Sequence, residues 1–485
     1  MTELDPQLNI FPDRGDLKNL KVHLIGIGGV AMTALAGLLK EAGCRVSGSD
    51  AKLYPPMSDI LRQMELSVSE GYGPETLPPD CDLVVVGNVV TRQFPVLEAL
   101  KELKKPYLSL PQTLGALFLN RTKNLVVAGC HGKTSTTDIC AKIWSEAGLK
   151  PGFLIGGASL DFPRPWQTAA GDCFIIEGDE YDSAFFNKVP KFLHYKPHTV
   201  ILTSVEFDHA DIYPDLEAVI AAYESLMKII PPDGRLIAWG DSPLVRRVAR
   251  SCPAPVDFYG LNDDNDWRIA GFSENGLSSA FELVGPEGFY ARLSLPRPGV
   301  YNALNAAAAS AAFIAHGGDG RLLAPALASL KGVKRRQEIL GDFNGITVID
   351  DFAHHPTAVA GTIGAVKKAF PGRRLLAAFE PRSNTSRRAL FQSDYARALA
   401  EADCVFLRQT PEAQKAPEGD RLDVERLAAE LGPQAQVGPD GRMLAEEISR
   451  RSRPGDVVLI MSNGGFDGLA QYLMELLKNA AETEI

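Results

Sequence analysis

The sequence predicts an α/β protein of three domains: a Rossmann-like N-terminal domain, a central α/β domain of the P-loop ATPase type, and a small Rossmann-like C-terminal domain. Three observations carry this. The chain has 485 residues, too many for one ordinary core, and the usual domain size gives about three. Short, wholly apolar runs such as Leu83–Val86 and Leu125–Ala128 recur, as buried parallel strands require. Many of these runs stop at a glycine or polar cluster that opens onto a helical stretch, the strand, loop and helix unit of a doubly wound sheet. A connecting stretch at 106–121 and the basic cluster at 334–336 place the domains at residues 1–115, 116–335 and 336–485.

With 45% apolar and 23% charged residues, the make-up is that of an ordinary soluble protein. The net charge of −10 argues against a sequence-blind nucleic-acid binder, which needs a broad basic field, so no nucleic-acid partner is expected. Seven cysteines are scattered and never paired as C-x-x-C, so a reducing cytoplasm is the expected compartment. The N-terminal stretch is polar rather than signal-like, and no apolar run reaches the length of a membrane span, so membrane insertion is not expected.

The stretch Asn124–Thr137 reads NLVVAGCHGKTSTT. An apolar strand breaks at Gly129, Cys130, His131 and Gly132, then Lys133, Thr134 and Ser135 open a helix. Glycines let backbone amides approach a phosphate chain, and the helix start turns its N–H groups and dipole toward the anion. Lys133 supplies a point charge for the outer phosphates of ATP, and the Thr134 hydroxyl is placed to ligate Mg²⁺. The first glycine lies three positions before the second, shorter than the full G-x-x-x-x-G-K-[ST] spacing, so an ordinary glycine turn competes with this reading.

Earlier, VHLIGIGGVAMTALAGLLKEAGCRVSGSD gives a strand, a turn at Gly26, Gly28 and Gly29, a helix, and a second strand ending in Ser49 and Asp50. This is the dinucleotide fingerprint, which reports a pyrophosphate with a nucleoside; NAD and a nucleotide-sugar diphosphate both satisfy it. Asn88, Thr91 and Arg92 follow the next apolar strand, where ligands of open α/β sheets collect, although a solvated loop is the plain alternative.

Later strand ends carry the remaining candidates. Cys173–Ile176 delivers Glu177, Asp179, Glu180 and Asp182, either an Mg²⁺ site beside the phosphate loop or a solvated turn, and Thr199–Val205 delivers Glu206, Asp208, His209 and Asp211, where His209 is read as a ligand to the same metal or its water. Residues 260–298 read as a small antiparallel excursion. Asn302 and Asn305 share one helical face, suited either to a purine edge or, for Asn302, to helix capping. Arg336, in Lys334-Arg335-Arg336, is a candidate for the γ-phosphate. The strand Ile346–Ile349 ends in Asp350, Asp351, His354 and His355, either a zinc set or a further strand-end site, the second being preferred. Arg382, Ser383 and Asn384 suit a carboxylate, and Asn463 ends the last strand.

Taken together these signals resemble the Mur ligase family, the ATP-dependent amide-forming enzymes of bacterial cell-wall assembly, from about residue 21 to about residue 477. The resemblance rests on GIGG with Ser49-Asp50, the short GxHGKT[ST] loop, EGDEYD, DHAD, the N-A-L-N helix start, KRR and DDFAHHP, all in family order. YPPMS at 54–58, GNVVTR, EYDSAFF, EFDHADIY, EPRSNT and MSNGGF resemble the branch that joins a recovered peptide, L-alanyl-γ-D-glutamyl-meso-diaminopimelate, to UDP-N-acetylmuramate, rather than the branch that adds L-alanine. The resemblance implies ATP and Mg²⁺ as cofactors, the Mg²⁺ on Thr134, Glu177 and His209, with Lys133, Glu177, His209 and Arg336 catalytic. It further implies Asn302, Asn305 and Asp351 on the adenosine, the 26–29, 49–50 and 88–92 residues on the UDP-sugar, and His354, Arg382–Asn384 and Asn463 on the peptide. Two positions depart from the family pattern: Cys130 replaces a threonine and Tyr301 a histidine. No lysine lies between Glu217 and Met227, where other branches carry a carbamylated one.

Overall fold

The computed structural model describes residues 4–12, 15–53 and 57–483; Tyr54, Pro55 and Pro56 of YPPMS lie outside the described residues. Contacts gather the chain into two compact units. One comprises Met1–Val205, Val219–Trp267 and Ala308–Leu322, the other Glu206–Ala218, Arg268–Ala307 and Leu323–Ile485.

The first unit holds two sheets. Strands β1 (Lys21–Ile25), β2 (Arg45–Asp50), β3 (Ser67–Glu70), β4 (Leu83–Val86) and β5 (Tyr107–Ser109) form a parallel sheet in the order β3-β2-β1-β4-β5. The order reverses between β1 and β4, and the glycine turn and the Asn88 loop follow those two strands at this switch point. Helix Leu110–Leu117 starts at a capping box in which Ser109 and Gln112 bond reciprocally. The expected domain edge at residue 115 therefore falls inside a helix, and the chain enters the next sheet only at Lys123.

That sheet runs β12-β11-β10-β6-β9-β7-β8 within this unit. Its strands are β6 (Lys123–Ala128), β7 (Gly152–Leu154), β8 (Trp166–Gln167), β9 (Cys173–Gly178), β10 (Pro197–Leu202), β11 (Arg235–Trp239) and β12 (Val256–Gly260). All are parallel except β8 at the edge. The apolar run at 125–128 is buried on both faces, as a central parallel strand should be. The strand expected over Thr199–Val205 stops at Leu202, because Thr203 turns its hydroxyl to the carbonyls of Ala128 and His131.

In the second unit, β13 (Trp267–Asn275), β14 (Ser278–Val284) and β15 (Tyr290–Leu295) form the antiparallel meander expected at 260–298. Strands β16 (Glu338–Phe343), β17 (Ile346–Asp351), β18 (Leu375–Phe379), β19 (Cys404–Arg408), β20 (Ala435–Gly438) and β21 (Val457–Met461) form a sheet ordered β16-β17-β21-β18-β19-β20. It is parallel except for β16, and an apolar core fills each face, one around Phe379 and Tyr395 and the other around Phe406 and Leu473. Among the described residues no helix is long and apolar enough to cross a membrane.

Gly37 lies in the middle of helix Val30–Glu41, where helix propensity alone favours alanine by about 1 kcal/mol. A Cβ there would land inside the indole of Trp166, which is buried on β8. Gly37→Ala should therefore destabilise the protein by about 1–3 kcal/mol, the usual range for overpacking, against the propensity trend. Urea unfolding of the two proteins checks the sign.

Candidate active site

The phosphate loop is built by register. Strand β6 pairs with β10 through Ala128↔Leu202 and with β9 through Val127↔Glu177, so the segments leaving all three strands meet at one sheet edge. Gly129 adopts φ +130°, and a Cβ there would collide with the Thr203 hydroxyl and meet the Ser204 amide at 2.7 Å. Thr203 Oγ1 donates to His131 O at 2.5 Å, and the Ser204 hydroxyl accepts from His131 N at 2.9 Å. Cys130 N donates to Ser204 O at 3.3 Å. The amides of Cys130 and His131, expected to cradle phosphate, are thus turned inward, which corrects that expectation. Gly132, in the left-handed region at φ 78°, opens helix Lys133–Glu146 with no side-chain cap, so the N-terminal end of that helix is where the loop meets an anion.

Lys133 and Thr134 point to the acids of the 177–182 segment. Thr134 Oγ1 donates to Glu177 Oε2 at 3.2 Å, and Glu177 Oε1 accepts from Gly156 N at 2.5 Å. A hydroxyl and a carboxylate this close form a hard-oxygen pair of the kind that holds Mg²⁺. Lys133 Nζ lies 3.0 Å from Glu180 Oε2 and 3.9 Å from Asp179 Oδ1, with its side chain 12% exposed. Burial alone would lower the lysine pKa; Glu180 and Asp179 outweigh it, and the ammonium is held charged.

At the β1–β4 switch point, the sequence-predicted residues collect but do not all face outward. Gly26 and Ile27 donate to Ser49 O, Gly28 N donates to Asp50 Oδ2 at 2.7 Å, and Ala51 N and Tyr72 Oη donate to Asp50 Oδ1 at 2.8 Å. Ser49 is fully buried. Both had been expected to contact the UDP-sugar. In the structure they close the glycine turn from behind, because the end of β2 lies against it. Gly29, Asn88, Thr91 and Arg92 are exposed around the turn.

His209, expected beside Thr134 and Glu177, belongs to the second unit, as do all the remaining candidates. Asp208, nearly buried, accepts from His209 N, and Ala210 N donates to Thr385 Oγ1 at 3.3 Å. Burial would raise the Asp208 pKa, but His209, His354, the Thr385 hydroxyl and His355 hold it well below the usual carboxylate range. Asn384 Nδ2 donates to Asp211 Oδ2 at 2.8 Å. Asp351 accepts from Gln337 N and Ala353 N, and Asp350 pairs with Arg335 at 3.2 Å. Among the described residues Asp350, Asp351, His354 and His355 are not gathered into one joint metal group. Asn302 commits its Nδ2 to Pro298 O and Gln337 Oε1 at the start of its helix, and Asn305, one turn on, is buried. Arg336 stacks over Phe352 at 4.6 Å. Arg382 is exposed and lies along Gly464, next to Asn463 at the end of β21, with Ser383 following it at the end of β18.

Sequence reasoning missed Thr203, Ser204, Tyr72 and Tyr223. The first two carry a signal, since a threonine and a serine directly after a strand beside the loop strand are placed to bind that loop. Tyr72 and Tyr223 act through tertiary contacts and carry none.

Three family models cover the chain: one described as Mur ligase family, catalytic domain, at residues 21–122, the Mur ligase middle domain at 127–313, and the Mur ligase, glutamate ligase domain at 335–464. The chain belongs to the Mur ligase family, ATP-dependent ligases that form amide bonds. It is 38% identical over 476 residues to the UDP-N-acetylmuramate–L-alanyl-γ-D-glutamyl-meso-2,6-diaminoheptandioate ligase of Escherichia coli K12, covering 96% of this chain and 99% of that one. The ligase of the same name from Haemophilus influenzae is 36% identical, covering 94% and 99%. A crystal structure of a murein peptide ligase from Psychrobacter arcticus superposes with a TM-score of 0.73 at 33% identity, covering 95% of this chain and 99% of that one.

Removing Lys133 leaves Glu180, 1% exposed, without its cation, so one substitution should have two separable effects. Lys133→Ala is expected to lower turnover a hundredfold or more, the usual loss for a positioned electrostatic donor, and to lower the Tm. Adding Glu180→Gln should recover the Tm and leave turnover down. Calorimetry and phosphate-release kinetics on both variants check this.

Proposed function

We propose that this chain joins the tripeptide L-alanyl-γ-D-glutamyl-meso-diaminopimelate to the lactyl carboxylate of UDP-N-acetylmuramate at the expense of ATP, returning recovered cell-wall peptide to use in the cytoplasm. The single observation that carries the reading is the phosphate loop in which Lys133 and Thr134 face Glu180 and Glu177, on a chain matching ligases of that name end to end.

The carboxylate oxygen attacks the γ-phosphorus, ADP leaves, and an acyl phosphate forms. The peptide's free alanyl amine then attacks the acyl carbon, loses a proton, and phosphate departs, leaving the amide. Bringing one anion onto another is the obstacle, and the residues at hand answer it. The first-turn amides of helix Lys133–Glu146 bind the phosphate chain, and Lys133 offsets charge that develops on the transferring group. Thr134 and Glu177 would hold Mg²⁺, which supplies further screening of the two anions when bound. Gly28, Gly29, Asn88, Thr91 and Arg92 are assigned to the UDP-sugar at the switch point of the first sheet.

For the second unit, His209 is assigned to the metal, Arg336 to the transferring phosphoryl group, and Asn302, Asn305 and Asp351 to the adenosine. His354, Arg382, Ser383, Asn384 and Asn463 are assigned to the incoming peptide. Arg382 is an exposed guanidinium at a strand end, suited to bidentate capture of a peptide carboxylate.

A substrate panel tests the reading. With UDP-N-acetylmuramate and ATP, phosphate release should require the tripeptide, and mass spectrometry should show the joined product. Release with L-alanine and none with the tripeptide would assign the chain to the alanine-adding reaction instead.

A further inference from the structure

Behind Lys133 lies a buried polar line that the reaction as described does not use. Glu180 is 1% exposed and accepts from Lys133 Nζ at 3.0 Å. Tyr223, fully buried on helix Leu216–Lys228, has its hydroxyl 3.8 Å from the Cys130 thiol and within electrostatic reach of the Glu180 carboxylate. On the other side Asp179 lies 3.9 Å from Lys133 but is paired with Lys191 at 3.0 Å, and Lys191 in turn stacks on the Tyr181 ring. Asp179 is therefore already matched to another cation. Glu180 is the carboxylate whose near charge belongs to Lys133.

We infer that Glu180, braced by Tyr223, is a positioning residue for Lys133: it holds the ammonium at the mouth of the phosphate loop before nucleotide arrives and keeps it there while the terminal phosphate moves. This rests on the assignment of Lys133 to the outer phosphates. An ammonium has three donors, and one bond to a fixed carboxylate leaves two for the nucleotide while removing the rotational freedom of a long side chain. A buried negative charge beside the phosphate site also carries a cost, because it weakens binding of the nucleotide in its ground state. Glu180 thus exchanges ground-state affinity for a fixed lysine. Ground-state binding shared with the transition state does not raise turnover, so the exchange favours rate.

The two consequences have opposite signs, which a merely structural residue would not produce. In Glu180→Gln, which keeps the shape and removes the charge, Mg·ADP should bind threefold or more tightly by calorimetry while kcat falls tenfold or more. Glu180→Asp, which keeps the charge, should leave Mg·ADP affinity within twofold of the parent. Tyr223→Phe should lower kcat a few-fold with Mg·ADP affinity unchanged, and it keeps the question open to test should the buried Glu180→Gln variant fold poorly. Weaker Mg·ADP binding in parallel with lost turnover in Glu180→Gln, or no change in either, overturns the inference. If Lys133→Ala itself retains turnover, the assignment of Lys133 falls; if Lys133→Ala is inactive and Glu180→Gln is silent, the role of Glu180 alone falls.

Discussion

The phosphate site depends on the pairing register of β6 with its two parallel neighbours. Leu202 opposite Ala128 delivers Thr203 and Ser204 to the back of the loop, and Glu177 opposite Val127 delivers the carboxylate to its front. Side chains alternate along a strand, so a slip of one residue in β9 would turn Glu177 to the other face and replace it by Ile176 or Gly178. The wholly apolar interiors of β6, β9 and β10 make such a slip costly, because each strand has both faces packed. The chemistry at the strand ends is therefore set by hydrophobic packing several residues away.

Charge is arranged around that register in alternation. Lys133 meets Glu180, and Asp179 meets Lys191, within a six-residue acidic segment that would otherwise repel itself. Burying such groups gains little for stability, since desolvation roughly cancels the attraction, and apolar residues of the same size often do as well. What the pairs provide is fixed position. Gly156 N holds Glu177 through Oε1 and leaves Oε2 to Thr134, and the Tyr223 hydroxyl stands beside the Glu180 carboxylate.

Much of this was legible in the residues. The apolar runs at 83–86 and 125–128 and the glycines at 129 and 132 specify strand, turn and helix locally, because both-face burial and left-handed backbone each demand particular residue types. Less legible was the direction in which polar groups point. Ser49 and Asp50 sit at the predicted strand end but face the turn, since Tyr72 and the amides of Gly28 and Ala51 take both carboxylate oxygens. Cys130 and His131 lie in the predicted loop, yet their amides belong to Ser204. Such choices depend on which neighbour arrives from a distant strand, and no local pattern records that. The position of residue 115 inside a helix has a different origin: Ser109 and Gln112 cap that helix through a short-range signal within the stretch expected to be a connection.

The two glycine turns of the first unit show why a shared strand, turn and helix pattern does not by itself name a ligand. Both turns are braced from behind by residues at or just past the end of a neighbouring parallel strand, Ser49 and Asp50 ending β2 and Thr203 and Ser204 following β10. In the first turn the brace is an acid whose oxygens are already bonded to the protein, which withdraws the group a dinucleotide ribose would need and leaves Gly29 with the exposed Asn88, Thr91 and Arg92 as the outward surface. In the second the brace is made of hydroxyls and carbonyls, and the outward surface is a helix start with a lysine, a threonine and a paired carboxylate. One turn is left with neutral and cationic side chains, the other with a lysine and a hydroxyl–carboxylate pair. Identity therefore resides in which amides and side chains the brace leaves unengaged, and that follows from the long-range pairing of strands rather than from the turn.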